Sequence, residues 1–283
     1  MLTVRSASAL REQLEEWRVS GLRVALVPTM GNLHAGHLSL TNLARSSGTK
    51  VVCSVFVNPT QFGSGEDIES YPRTLDADSA VLEEQGAVDL LYVPDVKAIY
   101  PFGTDSAVSI KLPPLSEDLC GANRSGHFNG VASVVLRLLN LVAPDVLLLG
   151  EKDYQQRILL QRMIVDLHLS IEVISASIYR EADGLAMSSR NSYLSTEERR
   201  IAPELYAALS EVADELRQGK SNYSELEAAA MKRLAERGFE PDYVAIRRAS
   251  DLAPYEVFES GDERIVLGAA RLGRARLIDN IRI

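Results

Sequence analysis

RVALVPTMGNLHAGH, residues 23–37, joins a short apolar run to a turn that contains two glycines. Residues 23–27 have the composition of a buried strand that ends at Pro28, and a helical pattern begins at His37. In a parallel sheet such a strand-to-helix turn binds anionic ligands, because free backbone N–H groups and the helix N-terminus point at the ligand. The stretch therefore predicts a phosphate-binding turn at the edge of a parallel sheet.

The residues that follow keep alternating between strand-like and helical patterns. Apolar runs predict further strands at residues 51–57, 88–93, 145–149 and 171–175. Apolar residues at helical spacing predict helices at residues 37–47, 75–85, 130–142 and 154–169. Because the strands are apolar on both sides, we expect an α/β fold with a Rossmann-like parallel sheet that helices cover.

The pattern changes near residue 184. Residues 195–220 predict one amphipathic helix that opens with the capping-box pair Ser195 and Glu198, and a second helix follows. That second helix is expected at residues 223–237, and strands are expected at 242–246, 264–270 and 275–283. We therefore expect an N-terminal domain over residues 1–184 and a smaller α+β domain over residues 185–283.

The composition is that of an ordinary folded protein, with 46% hydrophobic and 24% charged residues. A net charge of −9 at pH 7 argues against a general nucleic-acid or membrane-surface binder. No signal peptide or bilayer-spanning apolar run is evident. Cys53 and Cys120 form no metal-type cluster, and Cys53 lies in an apolar run that predicts burial. These features predict a cytoplasmic protein with reduced cysteines.

His34 and His37 are the candidate chemical groups of the first turn. Two imidazoles at the start of a helix can donate hydrogen bonds to phosphate oxygens and stabilise charge that develops during displacement. Gly31 and Gly36 allow the backbone to approach a ligand closely. One histidine that caps the helix and one that packs is the alternative, and two histidines also suggest a metal. We favour phosphate binding, because glycines flank the pair and no third metal ligand accompanies it.

Two further segments carry groups suited to phosphate. Residues 150–153, Gly-Glu-Lys-Asp, follow a predicted strand and open a helix, so Lys152 can neutralise phosphate charge. They also fit a solvated helix start. Residues 187–190, Met-Ser-Ser-Arg, offer two hydroxyls and a guanidinium for pyrophosphate oxygens, although alone they fit a polar loop.

Three polar residues lie where a small ligand could meet the sheet edge. Asn58 and Gln61 follow the second strand, and their amides can bind a hydroxyl or a carboxylate. An Asn-Pro pair alone would usually mark a turn. His127 begins a helix, where it acts either as a cap or as a phosphate neighbour.

Several motifs, in one order along nearly the whole chain, resemble a single enzyme family. His34-Ala35-Gly36-His37 resembles the HxGH signature of the nucleotidylyltransferase superfamily. The longer matches are VPTMGNLH (27–34), FVNPTQF (56–62), YPRT (71–74), GHF (126–128) with GV (130–131), GEKDYQQ (150–156) and DGLAMSSRN (183–191). Together they resemble the pantothenate synthetase, or pantoate–β-alanine ligase, family.

The resemblance implies a reaction in which pantoate, β-alanine and ATP give pantothenate, AMP and pyrophosphate through an enzyme-bound pantoyl adenylate. Mg²⁺ would be bound with the nucleotide, largely through phosphate oxygens and water, and no residue is assigned as a metal ligand. Residues 1–184 would bind ATP and pantoate, and residues 185–283 would form a lid. The resemblance also implies a homodimer that binds these small molecules and neither nucleic acid nor a membrane.

The same resemblance assigns roles to individual residues. The residues implied to be catalytic are His34, His37, Lys152, Ser188 and Arg190. Those implied to contact ATP are Met30, Gly31, Asn32, Leu33, His34, Ala35, Gly36, His37, Gly150, Glu151, Lys152, Asp153, Tyr179 (through its backbone), Met187, Ser188, Ser189 and Arg190. Those implied to bind pantoate or β-alanine are Asn58, Gln61, Tyr71, His127 and Gln156. Residues 63–71 would form a flap that closes over the site.

Other functions are also compatible with part of this pattern. A different HxGH nucleotidylyltransferase would transfer AMP onto a phosphate-bearing acceptor and keep it in the product. A regulator that binds nucleotide without catalysis would need fewer of these groups than the chain carries. A tRNA synthetase is disfavoured, because the chain is short, acidic and without an evident RNA-binding appendage.

Overall fold

A computed structural model describes residues 1–63, 68–69 and 71–283. The chain forms two compact units, of which the first contains residues 1–151 and 159–177. The second contains residues 152–158 and 178–283. The sequence predicts a single boundary after residue 184, whereas the contacts group the segment from residue 178 onward, together with residues 152–158, in the second unit.

A parallel six-stranded sheet organises the first unit. Its strands are β1 (Leu2–Val4), β2 (Val24–Thr29), β3 (Lys50–Val55), β4 (Leu90–Tyr92), β5 (Val146–Gly150) and β6 (Glu172–Ala176). Their order is β1-β4-β3-β2-β5-β6, and every pair is parallel. The predicted Rossmann-like sheet is therefore confirmed.

Helices connect these strands. They are α1 (Ala7–Val19), α2 (Ala35–Ser46), α3 (Leu75–Gln85), α4 (Val96–Ile99), α5 (His127–Val142) and α6 (Tyr154–Asp166). β1 and α1 are not among the elements that the sequence patterns predict. Among the described residues, no helix is both long enough and apolar enough to cross a membrane.

The strand order creates a switch point between β2 and β5. From β2 the chain builds outward through β3 and β4, and it then returns to place β5 on the other side of β2. The loops that leave β2 and β5 therefore diverge at their carboxyl ends, where open α/β sheets bind ligands. The turn after β2 and residues 150–151 occupy these two positions.

Strand β2 continues beyond the residue at which the sequence predicts its end. Pro28 lies within the strand opposite Ser54 of β3, and pairing continues to Thr29 and Val55. Proline normally ends a central strand because it cannot donate to the ladder. Pairing of β2 with β5 involves only Ala25 and Leu26, so Pro28 lies past the part of the strand that is paired on both sides.

The core of the first unit lies on the strands next to the switch point. Val27, Val51, Leu91 and Leu148 belong to one buried cluster with Cys53. Cys53 is fully buried, which confirms its predicted role as a small core residue. Burial raises the pKa of its thiol to about 12, so it stays protonated and unreactive at neutral pH.

The second unit packs helices against an antiparallel sheet, which confirms the predicted α+β class. Its helices are α7 (Thr196–Ile201), α8 (Glu204–Arg217) and α9 (Tyr223–Glu236), and its strands are β7 (Glu240–Arg248), β8 (Arg264–Leu272) and β9 (Ala275–Arg282). The strand order is β7-β8-β9. Its core joins Leu205, Leu209 and Val212 of α8 to Ile246 and Val266 of the sheet.

The prediction of one helix over residues 195–220 is wrong, because the chain divides between α7 and α8. Pro203 stands at the break and has no N–H to donate to the preceding turn. The predicted capping box is confirmed. Ser195 N donates to Glu198 Oε2 at 2.7 Å, and Glu198 N donates to Ser195 Oγ at 3.3 Å.

Candidate active site

The predicted site residues divide between the two units. In the first unit are residues 30–37, Asn58, Gln61, Tyr71, His127, Gly150 and Glu151. In the second are Lys152, Asp153, Gln156, Tyr179 and residues 187–190. Each half has its own internal geometry.

The turn after β2 uses its backbone N–H groups internally. Gly31 N donates to Thr29 Oγ1 at 3.2 Å, Asn32 N to Asp78 Oδ2 at 3.0 Å and Leu33 N to Asp78 Oδ1 at 2.7 Å. From the sequence, such N–H groups are expected to be free to bind an anion. In the structure these groups build the turn itself, so anion binding there depends on side chains.

Asp78 of α3 holds this turn, and the sequence analysis did not identify it. It is 3% exposed, and Thr74 Oγ1 donates to both of its oxygens at 3.2 Å. Gly31 has φ 82°, and a Cβ there would lie 3.0 Å from Asp78 Oδ2. The turn therefore requires glycine at this position for both conformation and space. In sequence Asp78 looks like any acidic residue in the first turn of a helix.

His34 and His37 cap α2 reciprocally. His34 Nδ1 accepts from Gly36 N at 3.2 Å, and His37 Nδ1 accepts from His34 N at 3.3 Å. A ring nitrogen that accepts a backbone N–H cannot carry a proton, so the neutral imidazoles carry theirs on Nε2. The ring centroids are 4.0 Å apart and both side chains are half-buried. The cap therefore fixes the tautomer of both imidazoles, so that Nε2–H is the donor of each. Capping and phosphate binding, which the sequence offers as alternatives, are compatible in this arrangement.

Asn58 orients Gln61. Asn58 Nδ2 donates to Gln61 Oε1 at 3.1 Å and to the Gly130 carbonyl at 3.2 Å, while its Oδ1 accepts from Tyr100 Oη at 2.8 Å. Asn58 is 1% exposed, so its amide contacts protein groups. Because Gln61 Oε1 is an acceptor here, Nε2 is its donor, and Nε2 contacts Met30 Sδ at 3.0 Å. Gln61 therefore meets the turn that carries the histidines.

His127 supports Gln61 from its backbone side. The imidazole is 8% exposed, with Nε2 2.8 Å from Arg124 Nη1 and Nδ1 2.7 Å from the Gln61 carbonyl. An arginine can only donate, so Nε2 accepts and Nδ1–H donates to Gln61. His127 is the first residue of α5, but Gly126 is the N-cap. Of the two predicted alternatives, a helix cap or a phosphate neighbour, the cap position belongs to Gly126, and the geometry gives His127 a supporting contact with Gln61.

Gly130 explains why glycine occurs in this motif. A Cβ on Gly130 would overlap the carbonyl of Thr60 and lie 2.8 Å from Cα of Gln61. Helix α5 can therefore approach residues 58–61 this closely only because residue 130 has no side chain.

Tyr71 is buried at the end of the predicted flap. It is 5% exposed and packs edge-on to Phe62 at 5.8 Å between ring centroids. Residues 64–67 and 70 of the flap lie outside the described residues, so the flap stays a prediction.

In the second unit, Lys152 and Ser188 line one small cavity. Asn191 and Asp279 are also part of its wall. Lys152 lies in a short 3₁₀ turn (Glu151–Asp153) that leads into α6. Two predicted phosphate contacts, separated by 36 positions in the sequence, therefore meet at one cavity. After this turn Gln155 is buried, whereas Gln156 is half-buried.

A hairpin presents residues 187–190. Arg180 and Ala186 form a bridge, and Met187 N donates to the Tyr179 carbonyl at 2.9 Å. The tip is fixed by Gly184, whose φ is 93°, and a Cβ there would lie 2.6 Å from the Tyr206 ring. Ser188 Oγ then accepts from Arg190 N at 3.3 Å and caps a 3₁₀ turn (Ser189–Tyr193).

Arg199 of α7 holds the same hairpin by two carboxylates. It lies 2.5 Å from Glu181 and 2.7 Å from Asp183. The hydrogen bond from Arg199 lowers the pKa of the Asp183 carboxyl. These ion pairs are not predicted from the sequence, because pairs between an exposed helix and a loop have no local signature.

Comparisons with known proteins agree on one family. The family model of pantoate-beta-alanine ligase matches residues 2–282. A pantothenate synthetase of Halorhodospira halophila is 51% identical and is matched over 99% of this chain and 98% of that protein. The crystal structure of pantothenate synthetase from Thermus thermophilus has a TM-score of 0.88 at 45% identity, covering 99% of both chains.

A third similar protein was crystallised with small molecules. It is the pantoate-beta-alanine ligase from Francisella tularensis, complexed with beta-gamma ATP and beta-alanine. It has a TM-score of 0.82 and 31% identity, over 100% of this chain and 97% of that chain. The resemblance inferred from the motifs is confirmed, and the chain belongs to the pantoate-beta-alanine ligase family.

Proposed function

We propose that this ligase condenses pantoate with β-alanine and converts ATP to AMP and pyrophosphate, by way of an enzyme-bound pantoyl adenylate. One observation carries the proposal: Gln61, the amide suited to a hydroxy acid, contacts Met30 in the turn whose two histidines are set as Nε2–H donors. A ligand that meets both would have its carboxylate beside groups suited to phosphate. The Francisella relative, crystallised with beta-gamma ATP and beta-alanine, supports the same substrates.

The first step makes the carboxylate of pantoate reactive. A carboxylate oxygen attacks the α-phosphorus of ATP, the bond to the bridging oxygen breaks, and pyrophosphate leaves with that electron pair. The β-alanine amine then attacks the acyl carbon, and AMP departs with the former carboxylate oxygen. No covalent enzyme intermediate is needed, so positioning and electrostatic stabilisation supply the acceleration.

In this mechanism the first unit supplies neutral donors. The Nε2–H groups of His34 and His37 would stabilise negative charge on phosphate oxygens as the α-phosphorus becomes five-coordinate. Residues 30–37, Gly150 and Glu151 would surround the nucleotide. Since Asp78 occupies the N–H groups of Asn32 and Leu33, the side chains act on the phosphates while those backbone groups hold the turn.

The second unit would supply the cations. Lys152 and Arg190 would compensate charge on the departing pyrophosphate, with the hydroxyls of Ser188 and Ser189 as further donors. Asp153, Met187 and the backbone of Tyr179 complete the proposed nucleotide contacts. Lys152 and Ser188 share one cavity wall, which supports their action on one group of phosphates.

Magnesium would enter with ATP. Mg²⁺ prefers oxygen ligands and keeps several waters, so phosphate oxygens would hold most of its coordination sphere. Ser188, which lines a cavity together with Lys152, carries a hydroxyl oxygen of the type that fits such a hydrated ion. When bound, the ion would neutralise charge on the phosphates.

For pantoate and β-alanine, we propose contacts with Gln61, Gln156 and Tyr71. Asn58 and His127 belong to the same site but act through Gln61, since their polar atoms contact Gln61 and other protein groups. We also propose that residues 1–184 bind ATP and pantoate, that residues 185–283 act as a lid, and that the protein works as a cytoplasmic homodimer.

The test is pyrophosphate release measured with ATP alone, with pantoate added, and with pantoate and β-alanine together. The proposal expects one burst of pyrophosphate with pantoate, and steady turnover with AMP release only when β-alanine is present. A nucleotidylyltransferase would keep AMP in its product, and a regulator without catalysis would release no pyrophosphate. Either result would overturn the proposal.

A further inference from the structure

An ion pair with a buried carboxylate borders the cavity of the second unit. Arg180 meets Asp279 of β9 through two hydrogen bonds, Nη1 to Oδ2 at 2.6 Å and Nη2 to Oδ1 at 2.8 Å. The carboxylate is 4% exposed, and burial raises its pKa even though Arg180 opposes this effect. A buried charge is strongly destabilising unless it is paired. The two residues therefore have to stay together for this part of the unit to keep its geometry.

Arg180 also fixes the hairpin that presents residues 187–190. Its Nη1 donates to the Gly184 carbonyl at 3.0 Å, and its guanidinium lies over the Tyr206 ring at 3.9 Å. Arg180 itself pairs with Ala186, the residue before Met187. The Arg180 side chain therefore connects the hairpin to β9 and fixes the position of the hairpin relative to that strand.

Asn280, the next residue of β9, reaches the other phosphate-binding segment. It is 6% exposed, and its Nδ2 donates to the Lys152 carbonyl at 3.2 Å. Its own backbone N–H donates to Asp279 Oδ1 at 2.7 Å, so the amide and the ion pair form one network. Lys152 and Asp279 also line the same small cavity. Burial raises the pKa of the Asp279 carboxyl, and Arg180 and, to a smaller extent, Lys152 oppose that rise.

We infer that Asp279 and Asn280 are positioning residues for catalysis, because adjacent residues of one strand fix Lys152 on one side and the Arg180 hairpin with Met187–Arg190 on the other. The inference rests on the proposed function, which gives those two segments their role toward ATP. Cations that stabilise a transition state must be held within a fraction of an ångström, and misplacement by 1 Å can cost about 100-fold in rate. A strand in the sheet supplies a more rigid reference than the loops that carry the cations.

The experiment uses the full chain and measures pyrophosphate release at saturating ATP and pantoate without β-alanine, so that each enzyme molecule reacts once. Asn280→Ala removes the hydrogen bond to Lys152, and Asp279→Asn removes the charge that pairs with Arg180. Asp242→Asn is the matched control. It breaks a partly buried ion pair of the same sheet, 2.7 Å from Asp242 to Arg276, which the inference does not connect to either segment.

We expect Asn280→Ala to lower the single-turnover rate by about 10-fold or more while the variant remains folded at the assay temperature, and Asp242→Asn to stay within twofold of wild type. A double-mutant cycle with Lys152→Ala then separates positioning from stability. If Asn280 acts through Lys152, Asn280→Ala has no further effect once the ammonium is gone. The same cycle with Arg190→Ala tests Asp279→Asn.

Two results would overturn the inference. One is an Asn280→Ala rate within twofold of wild type. The other is an effect of equal size with and without Lys152, which would mean that Asn280 acts on the fold in general. If Asp279→Asn does not fold, the Asn280 cycle still decides the question. Failure of the proposed function is a separate result, because wild type itself would then release no pyrophosphate in response to pantoate.

Discussion

His37 Nδ1 accepts the backbone N–H of His34 at 3.3 Å, so the second histidine of the motif caps the residue that carries the first. The structure thereby assigns two functions to each ring. One nitrogen builds the start of α2, and the other is left as an N–H donor by the tautomer that this requires. The two residues of a capping box stand three positions apart. This requirement gives a physical reason for the two residues that separate His34 from His37.

The first prediction separates the two functions of His37. His37→Ala should lower adenylate formation by about 100-fold or more, since it removes a donor to the reacting phosphate. It should also cost about 1 kcal/mol of stability through the lost cap. His37→Asn keeps an acceptor near the Nδ1 position but has no group at Nε2.

Single-turnover rates and chemical denaturation of the two variants check this prediction. His37→Asn should recover most of the stability and little of the rate. Recovery of the rate together with the stability would show that His37 acts only as a cap.

Asp78→Asn should loosen the turn after β2. The amide leaves one of the N–H groups of Asn32 and Leu33 facing another donor, at a cost of about 1–3 kcal/mol for the unsatisfied group. Adenylate formation should also fall, because the turn would no longer hold His34 and His37 in a fixed position. Asp76→Asn, an exposed acid in the first turn of the same helix, is the control; it should cost less than about 1 kcal/mol through the helix dipole and leave the rate unchanged. Equal effects of the two substitutions would argue against the role of Asp78.

Substitutions around Gln61 should act on pantoate more than on ATP. Gln61→Ala removes the proposed contact itself, while His127→Ala removes the hydrogen bond that holds the Gln61 carbonyl. We expect calorimetric titration to show that either variant binds pantoate about 10-fold more weakly, which corresponds to a loss of about 1.4 kcal/mol in binding free energy. His168→Asn is the control, because His168 is exposed and its left-handed φ of 52° suits asparagine. Unchanged pantoate affinity in both site variants would contradict the assignment.

Gly130→Ala should damage the same region without removing a polar group. Its methyl group would meet the Thr60 carbonyl and force α5 away from residues 58–61. Overpacking of this kind costs about 1–3 kcal/mol, and the hydrogen bond from Asn58 to the Gly130 carbonyl would lengthen. Thermal denaturation and pantoate titration should therefore both change. A variant as stable and as tightly binding as wild type would mean that the helix contact does not position Gln61.

Glu227 should make the stability of the second unit depend on pH. Burial raises the pKa of its carboxyl above the ordinary value of 4.5, although the Ile246 N–H donates to it at 2.7 Å. An acid with a raised pKa in the folded state contributes stability that is complete below 4.5 and is lost as pH rises through the raised value. Glu227→Gln keeps the acceptor for Ile246 and removes the titration.

Urea denaturation from pH 4 to pH 7 checks this prediction. Wild type should lose stability relative to Glu227→Gln as pH rises, and the difference should then become constant. A difference that does not vary with pH would show that the carboxyl titrates alike in the folded and unfolded states.

Local patterns predict the elements of the fold well, because each depends on nearby residues. Helix α3 begins and ends at the predicted residues, and the Ser195–Glu198 capping box forms. The predicted bounds are wrong where the end of an element depends on its neighbours in the fold. Pro28 stays in β2 because β5 has stopped pairing there, and Pro203 ends a helix whose apolar pattern continues through it.

The motifs identify the residues of the candidate site, but the contacts that hold them come from distant parts of the chain. Asp78 reaches Asn32 across 46 positions, His127 reaches Gln61 across 66, and Asn280 reaches Lys152 across 128. None of these partners has a local signature. The assumption of free N–H groups after β2 failed for the same reason, since Asp78 could not be placed before the fold was known.

The central claim, that the pantoate carboxylate attacks the α-phosphorus, is tested most directly with pantoate labelled by ¹⁸O in its carboxylate. The label should appear as one ¹⁸O atom in the AMP released after β-alanine is added, because the attacking oxygen leaves with the phosphate. Formation of pantothenate together with unlabelled AMP would contradict the mechanism.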